Sequence, residues 1–218
     1  MGWPLDITPG IRGKNALVTG GSSGIGNGIA HGFRERGAKV HVWGTRASAS
    51  DYDAADGSDL TGLGYSCVDV GDPDAIEVAA LPFETLDVLV LCQGTVVYKR
   101  GEFERPGWDR VIAVNLDSLM NCGRKFHAQL AATHGAIIIV SSISGLKANV
   151  GNPAYAASKA GMIGLTKATA KEVASRKITV NALALGLVET EMASEMNAEY
   201  REKILAMIPL GRLGNVRE

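Results

Sequence analysis

Five short, nearly continuous runs of apolar and β-branched residues constrain this chain most: Asn15 to Thr19, Lys39 to Trp43, Leu86 to Leu91, Ala136 to Ser141 and Ile178 to Ala184. A strand with one wet face alternates apolar and polar residues, whereas an unbroken run marks a strand buried on both faces. The runs therefore belong to a parallel sheet covered by helices. Helical patterns lie between them at Gly26 to Arg36, Pro73 to about Leu81, Pro106 to Thr133 and Ala154 to Ser175. Repeated β-α-β units with right-handed crossovers give an α/β fold of the doubly wound, Rossmann type. At 218 residues, with no repeat or linker, the chain reads as one domain over residues 1–218. The polar stretch Ala47 to Gly64 reads as a surface connection, and Pro82 as the end of the helix before it.

Charge and composition exclude several functions. Twenty-two Lys and Arg against 23 Asp and Glu, scattered along the chain, leave no basic stripe for nucleic acid. No segment approaches the roughly twenty apolar residues of a membrane span, and the N-terminus has no signal-peptide core, so the expectation is a cytoplasmic protein with no membrane partner. Cys67, Cys92 and Cys122 are odd in number, widely spaced and set among apolar residues, as buried thiols are. The four histidines show no ligand spacing with one another or with cysteine, so no metal is expected.

Thr19-Gly20-Gly21-Ser22-Ser23-Gly24-Ile25-Gly26 joins the first strand to the first long helix. Gly20 and Gly24 permit a tight turn, and Gly26 permits close helix–sheet packing. The N–H groups at the helix start can then hold a pyrophosphate, which makes a dinucleotide the natural ligand. Sites that select NAD place an acid at the end of the second strand, but here Gly44-Thr45-Arg46 follows it. Arg46 offers a guanidinium to the 2′-phosphate of NADP, favouring NADP(H) over NAD(H); the alternative is a solvated loop arginine.

Tyr155-Ala156-Ala157-Ser158-Lys159 puts a phenol and an ammonium on one helix face. A nearby cation favours the phenolate and so depresses a tyrosine pKa from about 10. By itself this spacing also occurs on solvent faces.

Together with Ser142, thirteen positions before Tyr155, and Asn115 in the run Val114-Asn115-Leu116, the glycine turn and the Tyr155/Lys159 pair resemble the classical short-chain dehydrogenase/reductase family from about Lys14 to Gly214. The resemblance implies four catalytic residues. Tyr155 exchanges a proton with the substrate oxygen, and Ser142 holds that oxygen. Lys159 binds the nicotinamide ribose and lowers the tyrosine pKa, while Asn115 holds a water that links Lys159 to solvent. For the cofactor it implies the turn residues Gly20, Ser22, Ser23, Gly24, Ile25 and Gly26, with Thr45 and Arg46 after the second strand. Asp69 and Val70 would sit at the adenine, Asp69 being equally a turn residue, and Gly94 would give close approach. Val188 and Thr190 would clamp the carboxamide. Glu191 to Ile208 would form a lid whose Met192, Met196, Leu205 and Met207 line a pocket or simply pack together.

The motifs are most similar to the 3-oxoacyl-[acyl-carrier-protein] reductase branch, which implies transfer of a hydride between NADP(H) and a ketone or secondary alcohol, with a 3-oxoacyl thioester among the candidates. Sugar, polyol and small-ketone dehydrogenases share the same motifs, and a non-catalytic nucleotide sensor or scaffold is the competing class. That branch docks its acidic carrier on bases, whereas here the corresponding helix end reads Ala131-Ala132-Thr133-His134. Leu91-Cys92-Gln93-Gly94 stands where the family has Asn-Asn-Ala-Gly, leaving the strand-bracing asparagine bonds with no obvious replacement. Leu185 replaces a proline before Gly186. After Pro209-Leu210-Gly211-Arg212-Leu213-Gly214 the family's closing helix and edge strand do not appear, and those elements bear on the homo-oligomer, tetramer or dimer, that the resemblance otherwise implies.

Overall fold

The computed structural model describes residues 8–147, 150–194, 196 and 198–218. One helical turn, α1 (Thr8–Ile11), leads into β1 (Asn15–Thr19), α2 (Gly24–Glu35), β2 (Lys39–Gly44), β3 (Gly64–Cys67), α3 (Pro73–Val78) and β4 (Val88–Leu91). Then come α4 (Arg105–Ile112), α5 (Ser118–Thr133), β5 (Ala136–Ser142), α6 (Pro153–Val173), β6 (Thr179–Leu185), α7 (Glu191–Ser194) and α8 (Ala198–Met207). All six strands are parallel, in the order β3-β2-β1-β4-β5-β6. The order reverses between β1 and β4, so the loops leaving their carboxyl ends diverge and open a crevice there.

Alternate residues of the apolar runs feed two cores. Leu17, Leu89, Leu91, Ile137 and Ile139 pack with Phe126, Leu130 and Met162 on one side of the sheet. Ala16, Val18, Val40, Val42, Val88 and Val90 pack with Ala30, Ile25 and Phe33 on the other. This is why the runs of β1, β2, β4 and β5 are unbroken; the expectation fails for β6, an edge strand whose Thr179, Asn181 and Leu183 are exposed. The five expected strands form, β1 with the bounds expected and the others with one or both ends displaced by one or two residues. β3 was not among them: Gly-Tyr-Ser-Cys is a partly exposed edge strand with no apolar run to betray it. Cys67 ends β3 and is exposed, so the expectation of three buried thiols holds for Cys122 fully, for Cys92 largely, and fails for Cys67.

The helix expected from Pro73 to about Leu81 stops at Val78, where Ala79 turns to ψ 133° ahead of Pro82. The long helix expected from Pro106 to Thr133 is interrupted by a π turn at Ala113–Asp117, which contains Asn115. In the 47–64 connection two short 3₁₀ turns form, the first closed by reciprocal bonds between Ser48 and Asp51. Beyond β6, Ala193, Ile204 and Leu213 make a small core on which Met196 and Leu205 pack, while Met207 is exposed. The side chain of Met192 lies outside the described residues. No described helix is long and apolar enough to cross a membrane.

Candidate active site

The carboxyl ends of the strands enclose a cleft of about 570 Å³. Its near wall is the glycine turn, where the geometry explains Gly20 and Gly26. Gly20 has φ +66°, and a Cβ on it would lie 2.7 Å from the Cα of Gln93. A Cβ on Gly26 would lie 2.1 Å from the carbonyl oxygen of Gly20. The turn is thus folded so tightly that α2 can start directly above it. Ser23 is the N-cap but supplies no side-chain bond, and the first turn of α2 has no acid. Its N–H groups are therefore offered to a ligand with negative charge. A glycine cradle, an uncapped helix start and an elongated cleft fit the diphosphate of a nicotinamide dinucleotide.

Of the cofactor residues read from the sequence, Gly20, Ser22, Ser23, Gly24, Ile25, Gly26, Thr45, Asp69, Val70, Gly94 and Thr190 line this cleft. Thr190 closes over the turn, its Cγ2 being 3.3 Å from where a Gly24 Cβ would stand. Asp69 lines the cleft and is also a turn residue: it accepts from the Gly71 N–H at 2.9 Å and pairs with Arg110 at 3.3 Å. Two residues fall elsewhere. Arg46 turns away to lie over the Tyr52 ring at 4.6 Å and to donate to the Asp51 carbonyl. Val188 bridges to Gly214, whose backbone groups bind Leu187 and Glu189 on either side of it.

The catalytic candidates gather at the far end. α6 begins at Pro153, so Tyr155 sits in its first turn and Lys159 one turn later. Tyr155, Ser142 and Lys159 all line the cleft, and the Ser142 and Tyr155 side chains are hydrogen-bonded. Lys159 is only 5% exposed, donates from Nζ to the Val140 carbonyl at 2.9 Å, and lies 5.5 Å from the Tyr155 ring centroid. A Cβ at Gly94 would be 3.7 Å from that ammonium, so Gly94 keeps the floor open beside it.

Burial lowers the Lys159 pKa to about 8, partly opposed by Cys92. The Tyr155 pKa is raised, first by burial and then by the Glu102 carboxylate, while the Ser142 bond works against both. This corrects the expectation of a depressed phenol. Without cofactor or substrate, desolvation outweighs a lysine whose nitrogen is turned to a backbone carbonyl.

Asn115 lies behind the cleft, fully buried in the π turn. Its Oδ1 accepts from the Thr95 N–H at 2.7 Å, and its Nδ2 donates to the Thr95 carbonyl at 3.0 Å and to Ser158 Oγ at 3.1 Å. The side chain thus pins the strand-like segment after Gly94 to α6. An extra residue in a helical turn unpairs the local ladder and re-aims side chains, which gives a buried asparagine this reach.

Two important side chains were not read from the sequence. Glu102, 1% exposed, accepts from the Tyr155 N–H at 2.9 Å, the Val97 N–H at 3.2 Å and Asn152 Nδ2 at 3.3 Å. It caps α6 from outside, since the N-cap Asn152 makes no capping bond. Nothing in Arg-Gly-Glu-Phe distinguishes it from a solvated turn. Gln93 overturns the expected loss of the strand brace: it bonds Thr19 Oγ1 on β1 and donates to Ser118 Oγ on α5 at 2.7 Å. A longer amide, one position later than the family's asparagines, thus joins β1 to α5.

A rim cleft that cradles diphosphate at one end and sets a phenol, a hydroxyl and a buried amine at the other is the arrangement of a dinucleotide-dependent dehydrogenase. The family model "short chain dehydrogenase" matches residues 14–201, and the chain belongs to that family. A 3-oxoacyl-[acyl-carrier-protein] reductase of Chlamydia muridarum is 39% identical over 94% of this chain and 86% of its own length. That of Escherichia coli K12 is 38% identical over 95% and 87%. The crystal structure of a candidate 2-deoxy-D-gluconate 3-dehydrogenase from Agrobacterium tumefaciens with bound NADP superposes with TM-score 0.81 at 33% identity, covering 94% of this chain and 85% of that one. The protein is accordingly an NAD(P)-dependent oxidoreductase acting on CH–OH and C=O groups.

Proposed function

We propose that the protein reduces ketones with NADP(H), the first substrate class being a 3-oxoacyl thioester. The observation that carries the reading is the convergence of Tyr155, Ser142 and Lys159 beside Gly94 at the end of a dinucleotide cleft. When bound, the nicotinamide supplies the hydride that adds to the carbonyl carbon. Ser142 Oγ donates to the carbonyl oxygen, and Tyr155, kept protonated by burial, delivers its proton to that oxygen as negative charge develops. Lys159 Nζ, released from Val140, holds the ribose and offsets the phenolate left behind. Asn115 is a positioning residue that fixes the Thr95 segment and α6 around the ammonium. The water that the family resemblance assigns to Asn115 would have to share it with Thr95 and Ser158.

NADP is favoured by Thr45 and Arg46 and by the missing acid after β2, and the Agrobacterium neighbour holds NADP. The thioester reading is supported by the two acyl-carrier-protein reductases above. Keto sugars form a second reading, favoured by the Agrobacterium neighbour. Three free cysteines support action in a reducing cytoplasm, and an apolar groove between α5, α6 and the sheet, including exposed Met120, supports a homo-oligomer. The test is a paired NADPH and NADH assay against 3-oxoacyl thioesters, keto sugars and simple ketones. Turnover with a thioester and NADPH is expected; absence of turnover with every ketone would leave a nucleotide-binding sensor as the better reading.

A further inference from the structure

The hydroxyl of Tyr52 occupies a place built for an anion. Immediately after β2, the successive N–H groups of Thr45 and Arg46 both donate to this one oxygen at 3.0 Å. Ser22 Oγ bonds it as well, and the Tyr65 hydroxyl lies 3.4 Å away. The convergence is tight enough that a Cβ on Gly44 would stand 2.5 Å from the Tyr52 oxygen and 2.6 Å from Ser22 Oγ. Consecutive backbone N–H groups aimed at one point form a nest that binds anionic oxygen. The Arg46 guanidinium is parked beside it, over the Tyr52 ring at 4.6 Å from the centroid.

The nest faces the ligand. Ser22, Gly44 and Thr45 line the cleft at the carboxyl end of β2, where a dinucleotide's adenosine ribose rests on the chain. Its preference for negative charge is visible in the tyrosine itself. Burial raises the Tyr52 pKa, yet the bonds from Ser22, Tyr65, Arg46 and Thr45 outweigh burial and lower it. A phosphate oxygen would gain more from the same donors than a neutral phenol does. The chain supplies its own occupant from the 47–57 segment, and that occupant holds Arg46 away from the cleft.

We propose that Tyr52 is an internal plug of the 2′-phosphate subsite and so sets cofactor selection. A 2′-phosphorylated nucleotide must displace the Tyr52 hydroxyl from the N–H groups of Thr45 and Arg46 and draw Arg46 off the ring. A nucleotide with a free 2′-hydroxyl leaves both in place. The inference rests on the dinucleotide reading of the cleft but not on which cofactor the native protein prefers.

Calorimetric titration of NADP⁺ and NAD⁺ into the wild type, Tyr52→Phe and Tyr52→Ala tests it without turnover. Phenylalanine keeps the ring against Arg46 and Tyr65 and removes only the competing oxygen. NADP⁺ should bind about three- to tenfold more tightly to Tyr52→Phe, the worth of one or two hydrogen bonds no longer contested, while NAD⁺ stays within about twofold. Tyr52→Ala should show the same sign, with Arg46 also released. Weaker NADP⁺ binding in Tyr52→Phe would make the hydroxyl a ligand rather than a plug and overturn the proposal. Equal change for both nucleotides, or no change for either, would overturn it too. Failure of every protein to bind either nucleotide would overturn the dinucleotide reading along with it, which distinguishes that failure from a fault in the role of Tyr52 alone.

Discussion

Lys159 shows how function can cost stability at a single residue. The unfolded chain holds this proton up to about 10.5, whereas the folded site releases it near 8. Below about 8 the whole penalty of burying the charge is present. Between the two values the unfolded state binds more protons, so stability rises with pH. Lys159→Met removes the penalty and should stabilise the fold at pH 7 by about 1–3 kcal/mol while abolishing turnover; urea unfolding that shows a less stable variant would contradict this. In the wild type, kcat/KM for ketone reduction should fall as pH rises through about 8, where the free enzyme loses the ammonium, and a flat profile to pH 10 would count against Lys159 in this role. The Tyr155/Lys159 pair was legible as a spacing, but the direction of the phenol's shift was not. Burial and the carboxylate of Glu102 come from parts of the chain that a local window does not see.

Among the elements, α6 and the glycine turn carry the site, and their supports differ in legibility. The turn is local: Gly20, Gly24 and Gly26 lie within seven residues of one another, and their need is written in the sequence. Gly26→Ala should place a methyl against the Gly20 carbonyl, lose cofactor affinity and cost about 2–4 kcal/mol, read by nucleotide titration and urea unfolding together. The start of α6, by contrast, is capped by Glu102 from 53 residues away, and β1 is tied to β4 by Gln93 from 74 away. Such partners can be recognised only after the fold brings them together. Glu102→Ala leaves the N–H groups of Tyr155 and Val97 without acceptors and should destabilise the protein by about 1–3 kcal/mol in urea unfolding, with kcat reduced more than KM is raised. The polar edge strand β3 and the π turn at Asn115 escaped the sequence for related reasons. β3 has no fully buried residue to demand an apolar side chain, and one inserted residue leaves the helical periodicity almost intact.

Across the whole molecule, the parallel sheet was the most legible feature, because burial on both faces forces unbroken apolar runs. The strand order β3-β2-β1-β4-β5-β6 was not read from the sequence, in which β3 has no apolar run. The crevice where the order reverses between β1 and β4 then fixes where a ligand lies, and residues from all six strand ends of the sheet reach it. What the fold does not determine is the substrate, since the residues beyond β6 that reach the cleft, Gly186, Thr190 and Glu191, belong to no strand of the sheet. The central claim is that this rim cleft performs hydride transfer with Tyr155 as the proton donor. It is tested most directly by comparing ketone-dependent NADPH oxidation and NADPH binding in the wild type and Tyr155→Phe. Turnover should fall about 10²- to 10⁴-fold in the variant while NADPH binding is retained; a variant that turns over ketone at the wild-type rate would contradict the claim.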